Sequence, residues 1–345
     1  MSAVIINIVS GKGGTGKTLL SCVLADMLGN SPDAKTIVVD LDVFVRGLTS
    51  LLYFHRDEKL HIVEKDKLTV SDYFVRKIVF PVEKLGIVKY RSFDVLPAVH
   101  RIDQKLNYQD LAPNTKHEAK RILSALIDSL SSEYRYIILD SRAGYDELIA
   151  ATHELSTLSV CVEEQDQISK VTSDNLISQL SEDETPVFRL TNKARGINSL
   201  EDIDQKARSV TDLGVIPFDM DILNNFGTTS FWETTGRSLY RWALARAWNV
   251  LNSKTQLGTV LNLPRQSPII SEKAETILGF LGLKERIFFA YGLLIAVFGF
   301  SYAIFGTEFF SSLFHDPVRL VTFTLGFLGL LLAIGVILIK PGRRR

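Results

Sequence analysis

The sequence predicts an α/β protein: a doubly wound, mostly parallel sheet followed by a two-helix transmembrane hairpin. Three observations predict it. Short apolar runs alternate with amphipathic stretches over residues 1–250, a glycine-rich loop joins the first run to the first helical stretch, and two long uncharged segments lie near the end of the chain. At roughly 150 residues per domain, 345 residues allow about two domains, or one large domain with appendages. Lys plus Arg and Asp plus Glu both total 39, so there is neither a bulk basic field for nucleic acid nor an acidic excess that would favour disorder. The two cysteines, Cys22 and Cys161, sit in apolar stretches. They exclude a disulfide framework and a multi-cysteine zinc site, and a reducing, cytoplasmic setting is the expectation.

The runs read in order as strands: AVIINIV (3–9), TIVVD (36–40), FDVLPA (93–98), YIILD (136–140), LSVCV (158–162), VFRLT (187–191) and GVIP (214–217). The first is too short for a signal sequence and has no basic leader, so it reads as a buried strand. Helical periodicity is clearest in Leu19, Leu20, Val23, Leu24, Met27 and Leu28, and again in Leu123, Leu126, Ile127 and Leu130. Pro264 and Pro268 mark residues 251–286 as a linker with a short juxtamembrane helix, Ser271–Leu283.

The segments 287–305 and 320–339 are 19 and 20 residues long and carry no charged side chain. At 1.5 Å per residue each matches the roughly 30 Å of a bilayer core, so both read as transmembrane helices. The intervening loop 306–319 has Glu308, Asp316 and Arg319, whereas Lys284, Arg286, Lys340 and the basic tail 340–345 flank the outside. Positive charge marks the cytoplasmic side. The expectation is a multi-pass inner-membrane protein with the 1–250 domain and both termini cytoplasmic, and with the lipid bilayer as a partner of the hairpin.

Residues 11–18, GKGGTGKT, have the phosphate-loop spacing. Glycines let backbone N–H groups wrap phosphates, and the following helix adds its positive N-terminal dipole. Gly11, Gly13, Gly14, Thr15 and Gly16 would form the cradle, Lys17 would reach the β and γ phosphates, and Thr18 would ligate Mg²⁺. YIILD has the form of a Walker B strand, in which Asp140 holds Mg²⁺ through water. The six histidines show no zinc-like spacing, so no metal beyond Mg²⁺ is expected.

With Lys12 beside Gly11, the stretch KGGTGKT resembles the deviant Walker A motif of the ParA/MinD family of P-loop ATPases. The resemblance implies that Lys12 reaches across an ATP-sandwich homodimer to the other subunit's phosphates. VVDLDVFVRGL (38–48) is similar to the family's switch I, which implies that Asp42 orients the attacking water and that Asp40 supports the magnesium or catalytic network. TNKA (191–194) and VIPFD (215–219) are similar to its base-binding loops, which implies Asn192 on the adenine edge and Pro217 and Asp219 lining the base site. Two positions depart from the family pattern. Gly47 stands where asparagine is frequent, and Arg142 stands in place of the usual proline, open to three readings: perturbing switch II, contacting phosphate, or simply being exposed.

The implied function is a membrane-anchored ATPase that binds ATP and Mg²⁺, dimerises, and hydrolyses slowly as a switch for an unidentified protein partner, positioning or assembling a membrane-associated complex. A non-hydrolysing ATP-binding membrane scaffold is the alternative. A tyrosine autokinase of the polysaccharide co-polymerase type fits less well, because the chain ends in KPGRRR rather than a tyrosine cluster. Nucleic acid finds little support: Arg237, Arg241 and Arg246 read better as a solvated helix face, and the three tryptophans as packing residues.

Overall fold

The computed structural model describes residues 2–32, 34–54, 62–76, 81–107, 111, 113, 115–194, 210–236 and 238–262. All of them fall within one compact unit, Met1–Ser267. Eight strands form one sheet in the order β3-β4-β2-β5-β1-β6-β7-β8. They are β1 (Val4–Ser10), β2 (Thr36–Asp40), β3 (Val88–Tyr90), β4 (Phe93–Leu96), β5 (Tyr136–Ala143), β6 (Leu158–Glu163), β7 (Val187–Ala194) and β8 (Thr211–Pro217). All neighbours run parallel except the β3–β4 edge hairpin. The seven predicted runs are seven of these strands. The unpredicted one, VKY, is too short and too polar for a sequence signature, and it holds the edge through its turn with β4.

The described helices are α1 (Lys17–Gly29), α2 (Gly47–Phe54), α3 (Val70–Arg76), α4 (Lys116–Ser131), α5 (Glu147–Glu154), α6 (Gln167–Leu180), α7 (Met220–Asn225), α8 (Phe231–Gly236) and α9 (Leu239–Thr255). Strand alternation splits the core into two layers. Tyr136 and Ile138 of β5 pack with α1 and α9, while Ile137 and Leu139 face α4. α4 buries the predicted Leu123, Leu126, Ile127 and Leu130, and its first turn is capped by Thr115 Oγ accepting from Glu118 N. Packing continues past residue 250: Tyr136 Oη donates to Thr259 Oγ at 2.7 Å, and Asn249 and Leu261 exchange two hydrogen bonds.

The expected localisation is corrected. Among the described residues no helix is long and apolar enough to cross a membrane. α9, at 17 residues, is the longest of them, falls short of a span, and carries Arg241, Arg246 and Lys254. A multi-pass inner-membrane protein held by a transmembrane hairpin is therefore not supported. The segments on which that expectation rested (the linker from 263, the helix Ser271–Leu283, 287–305, 306–319, 320–339 and the tail 340–345) lie outside the described residues. Arg237, His55, His61 and His315 lie outside them too. Arg241 is not a solvated face residue: it donates to the buried Asp26 of α1 at 2.7 Å. Trp232 and Trp248 are packing residues, donating to Tyr90 Oη and Thr259 O.

Candidate functional site

Parallel strands bring their C-terminal ends to one edge, and the loops leaving β1, β2, β5, β6, β7 and β8 converge there. The loop after β1 is held close to its neighbours. A Cβ on Gly11 would lie 2.7 Å from Ser173 N and closer still to the Thr172 carbonyl group, so α6 passes backbone-to-backbone against the loop. Gly16, at φ 89°, starts α1 in the left-handed region, and Asn192 Nδ2 occupies the space a side chain there would need. Asn192 uses that approach to donate to Thr15 O at 2.8 Å. Gly13 and Gly14 instead have open space where a Cβ would project, which leaves the loop backbone open to close approach.

Above the loop lies a cavity of ≈ 530 Å³. Of the predicted site residues, Gly13, Gly14, Gly16, Lys17, Thr18, Asp42, Pro217 and Asp219 line it. Lys17 Nζ donates to Ser10 Oγ at 2.8 Å, and Ser10 Oγ donates to Lys12 O at 2.7 Å. Burial pulls the Lys17 pKa down, while the nearby charges of Asp140 and Asp42 act against that. Asp42 Oδ1 accepts from Val45 N at 3.1 Å, folding the loop after β2 over its own carboxylate. The Gly47 departure has a steric counterpart: a Cβ at that position would come within 3.0 Å of Thr18 Oγ1.

Beneath the cavity, Asp40 and Asp140 stand opposite each other on adjacent strands, both buried. Asp40 Oδ2 accepts from Thr49 N at 2.8 Å and Thr49 Oγ1 at 2.6 Å, and Asp42 N donates to Oδ1 at 3.2 Å. Asp40 thus ties the loop after β2 and α2 to the sheet. Asp140 is held by the Thr18 hydroxyl and by Ser21 Oγ at 3.1 Å. Burial raises the Asp40 pKa to about 8, with the Asp140 charge adding to it, and burial raises that of Asp140 to about 6. A carboxyl raised on folding keeps a proton that the unfolded chain has released, so its stability contribution is full below about 4 and is lost as pH climbs to about 8. Thermal unfolding of the nucleotide- and metal-free chain should show a midpoint falling between pH 5 and pH 8, with a shallower fall in Asp40→Asn. A midpoint rising over that range would contradict the assignment.

The family model described as an AAA domain matches residues 3–169. No curated protein matches the chain. Among solved structures, a candidate plasmid partition protein from Borrelia burgdorferi bound to AMPPNP aligns at TM-score 0.58 and 18% identity, over 73% of this chain and 99% of that one. MinD complexed with Mg-ADP from Pyrococcus horikoshii aligns at 0.56 and 19%, over 74% and 99%. The MinC:MinD cell division complex of Aquifex aeolicus aligns at 0.52 and 19%, over 77% and 100%. The fold is that of the ParA and MinD ATPases.

Within this ParA/MinD fold, the remaining predicted residues take distinct places. Asp219 caps α7, its Oδ1 accepting from Asp221 N at 3.0 Å and Ile222 N at 3.1 Å, and burial raises its pKa. Asn192 Oδ1 is buried without a hydrogen-bond partner, close beneath the loop. Lys12 does not line the cavity. Its ammonium pairs with Glu164 at 2.9 Å and Asp166 at 2.7 Å in the loop after β6, and the Asp166 hydrogen bond, followed by that of Glu164, raises its pKa.

Two side chains at the site, Lys193 and Glu164, are not singled out by any motif. Lys193, strained at φ 54°, donates to Gly14 O and pairs with Glu164 at 2.9 Å, making Glu164 a bridge between two lysines. Arg142 lines the cavity and pairs with Asp146. Of its three sequence readings, simple exposure is excluded, since the side chain is only 17% exposed. Only the adjacency of Lys193 to Asn192 could have flagged it, and nothing in the sequence connects Glu164 with Lys12.

Proposed function

We propose that the chain is an ATP- and Mg²⁺-binding ATPase switch of the ParA/MinD kind. ATP binding closes two copies face to face, slow hydrolysis releases them, and the dimer recruits a protein partner in a positioning or assembly process. The observation that carries this is the convergence of an open glycine cradle, Lys17, Thr18 and Asp42 on one cavity, with Asp140 directly behind Thr18. The AMPPNP and Mg-ADP complexes of proteins sharing the fold support the choice of nucleotide and metal. The residues fit Mg²⁺: a hydroxyl and a buried carboxylate in mutual contact are hard oxygen donors, and a site of one or two protein ligands completed by phosphates and water is the usual form. When bound, Mg²⁺ neutralises charge on the phosphate oxygens.

The residues then divide the work, with the ATPase assignment covering 1–250. The loop amides from Gly11 to Gly16 and the α1 N-terminus bind the phosphates, and Lys17 exchanges Ser10 Oγ for phosphate oxygens. Asp42 orients the attacking water. Asp40 holds switch I against the sheet, Pro217 and Asp219 meet the base, and Asn192, which is buried beneath the loop on Thr15 O, must leave that contact to reach it. Lys12 reaches the partner copy's phosphates, for which it must leave Glu164 and Asp166.

A second copy is supported by apolar side chains exposed on this same edge. Val45 is 74% exposed, Ile168 71%, Leu223 51% and Tyr145 43%, each in or just after a loop at a strand's C-terminal end.

Phosphate release from MgATP by the full chain tests this reading. Slow, Mg²⁺-dependent release by wild type and its loss in Asp42→Ala are expected. Tight MgATP binding with no release would favour the non-hydrolysing scaffold.

A further inference from the structure

Arg142 stands two residues beyond Asp140 at the end of β5, where the pairing with β1 slips. Ile8 pairs with Asp140 but Ser10 with Ala143, so β5 has one residue more than β1 over this step. Such a bulge re-aims a side chain at a strand end, and bulges concentrate beside active sites. Here Arg142 joins Lys17 and Asp42 in the cavity wall, coming from β5 on one side of β1, whereas Pro217 and Asp219 come from the end of β8 on the other side of it.

The guanidinium is stored rather than committed. Its ion-pair partner is Asp146, which is 31% exposed, and its Nε–H is buried with no hydrogen-bond partner. Asp146 divides its two oxygens. Oδ1 accepts from Leu148 N and Ile149 N, both at 3.0 Å, capping α5, while Oδ2 takes Arg142. Arg142 can therefore leave without uncapping the helix. The pair is partly buried and made through Nη2 while Nε–H goes unpartnered, whereas a guanidinium on a phosphate makes strong, paired hydrogen bonds.

We propose that Arg142 binds the terminal phosphate of a nucleoside triphosphate in cis, leaving Asp146 to do so, and thereby makes the site favour triphosphate over diphosphate. The inference rests on the nucleotide reading of the cavity. It gives this chain a cation on the γ-phosphate from its own switch II, besides the lysine proposed to arrive from the partner copy.

The test is equilibrium binding of AMPPNP-Mg and ADP-Mg to the full chain, with phosphate release measured alongside. Arg142→Gln should weaken AMPPNP about tenfold or more, the worth of one or two charge-assisted hydrogen bonds, while ADP stays within about twofold. Arg142→Lys should fall between, because an ammonium cannot reproduce the planar fork. Asp146→Asn, which keeps a good helix cap but frees the arginine, should bind AMPPNP more tightly relative to ADP, and it serves where Arg142→Gln does not fold. An unchanged AMPPNP-to-ADP ratio in Arg142→Gln, or a ratio lowered in Asp146→Asn, overturns the proposal while leaving the nucleotide reading intact. Wild type that binds neither nucleotide overturns both.

Discussion

Lys17→Ala is expected to weaken MgATP binding by about two to four orders of magnitude, the loss of two charge-assisted hydrogen bonds of about 1.5–3 kcal/mol each. It should do so without harming the fold. Lys17 is the first residue of α1, where alanine is at least as good a helix former, and among the described residues the ammonium's one hydrogen bond is to Ser10 Oγ. Burial already disfavours its charge, as its lowered pKa records. Removing a partly desolvated cation should therefore leave the unfolding midpoint unchanged or slightly raised. Calorimetric titration with MgATP, paired with thermal unfolding of the free protein, separates the two effects. Retained affinity would remove Lys17 from the site, and a collapsed midpoint would make it a structural residue.

Gly11→Ala should fail in the opposite way, losing stability first. The added methyl would meet the Thr172 carbonyl group and Ser173 N, and both are backbone atoms within the first two turns of α6 that cannot rotate aside. Forcing α6 off the loop should cost about 3 kcal/mol, the upper range for overpacking. It would also disturb the Val9, Cys161 and Leu176 cluster under that helix. Gly13→Ala is the control, because nothing stands within 4 Å of its added Cβ. It should unfold like wild type yet bind nucleotide more weakly, since the methyl enters the cradle. Denaturant unfolding of the two variants, with equal m-values, checks the contrast.

Local patterns carried the central strands, because each is a continuous apolar run buried on both faces, and the loop after β1, because its glycines serve a backbone purpose that no other residue meets. Edge strand β3 was not legible: in three residues, one of them lysine, no alternation can show. Spatial pairings were not legible either. Lys12 meets Glu164 and Asp166 only because β6 lies beside β1 in the sheet, some 150 residues away in sequence. The resemblance pointed Lys12 outward to a second copy, and in the single chain it is held by its own carboxylates. The aim of Arg142 depends on a one-residue slip of register, which no periodicity in SRAG announces. Asp40 illustrates a mixture: its place at the strand end was readable, but its grip on Thr49 of α2 needed the fold. The membrane expectation came from segments outside the described residues, and among the described residues nothing supports it.

The central claim is a switch that pairs two copies on ATP, and the mass of the full chain in solution with MgATP against MgADP tests it most directly. The account predicts doubling of the mass with MgATP alone, persistence of the doubled species in Asp42→Ala, where hydrolysis cannot dissolve it, and loss of turnover in Lys12→Ala. A wild-type chain that binds MgATP yet keeps the same mass with both nucleotides and releases no phosphate would contradict it.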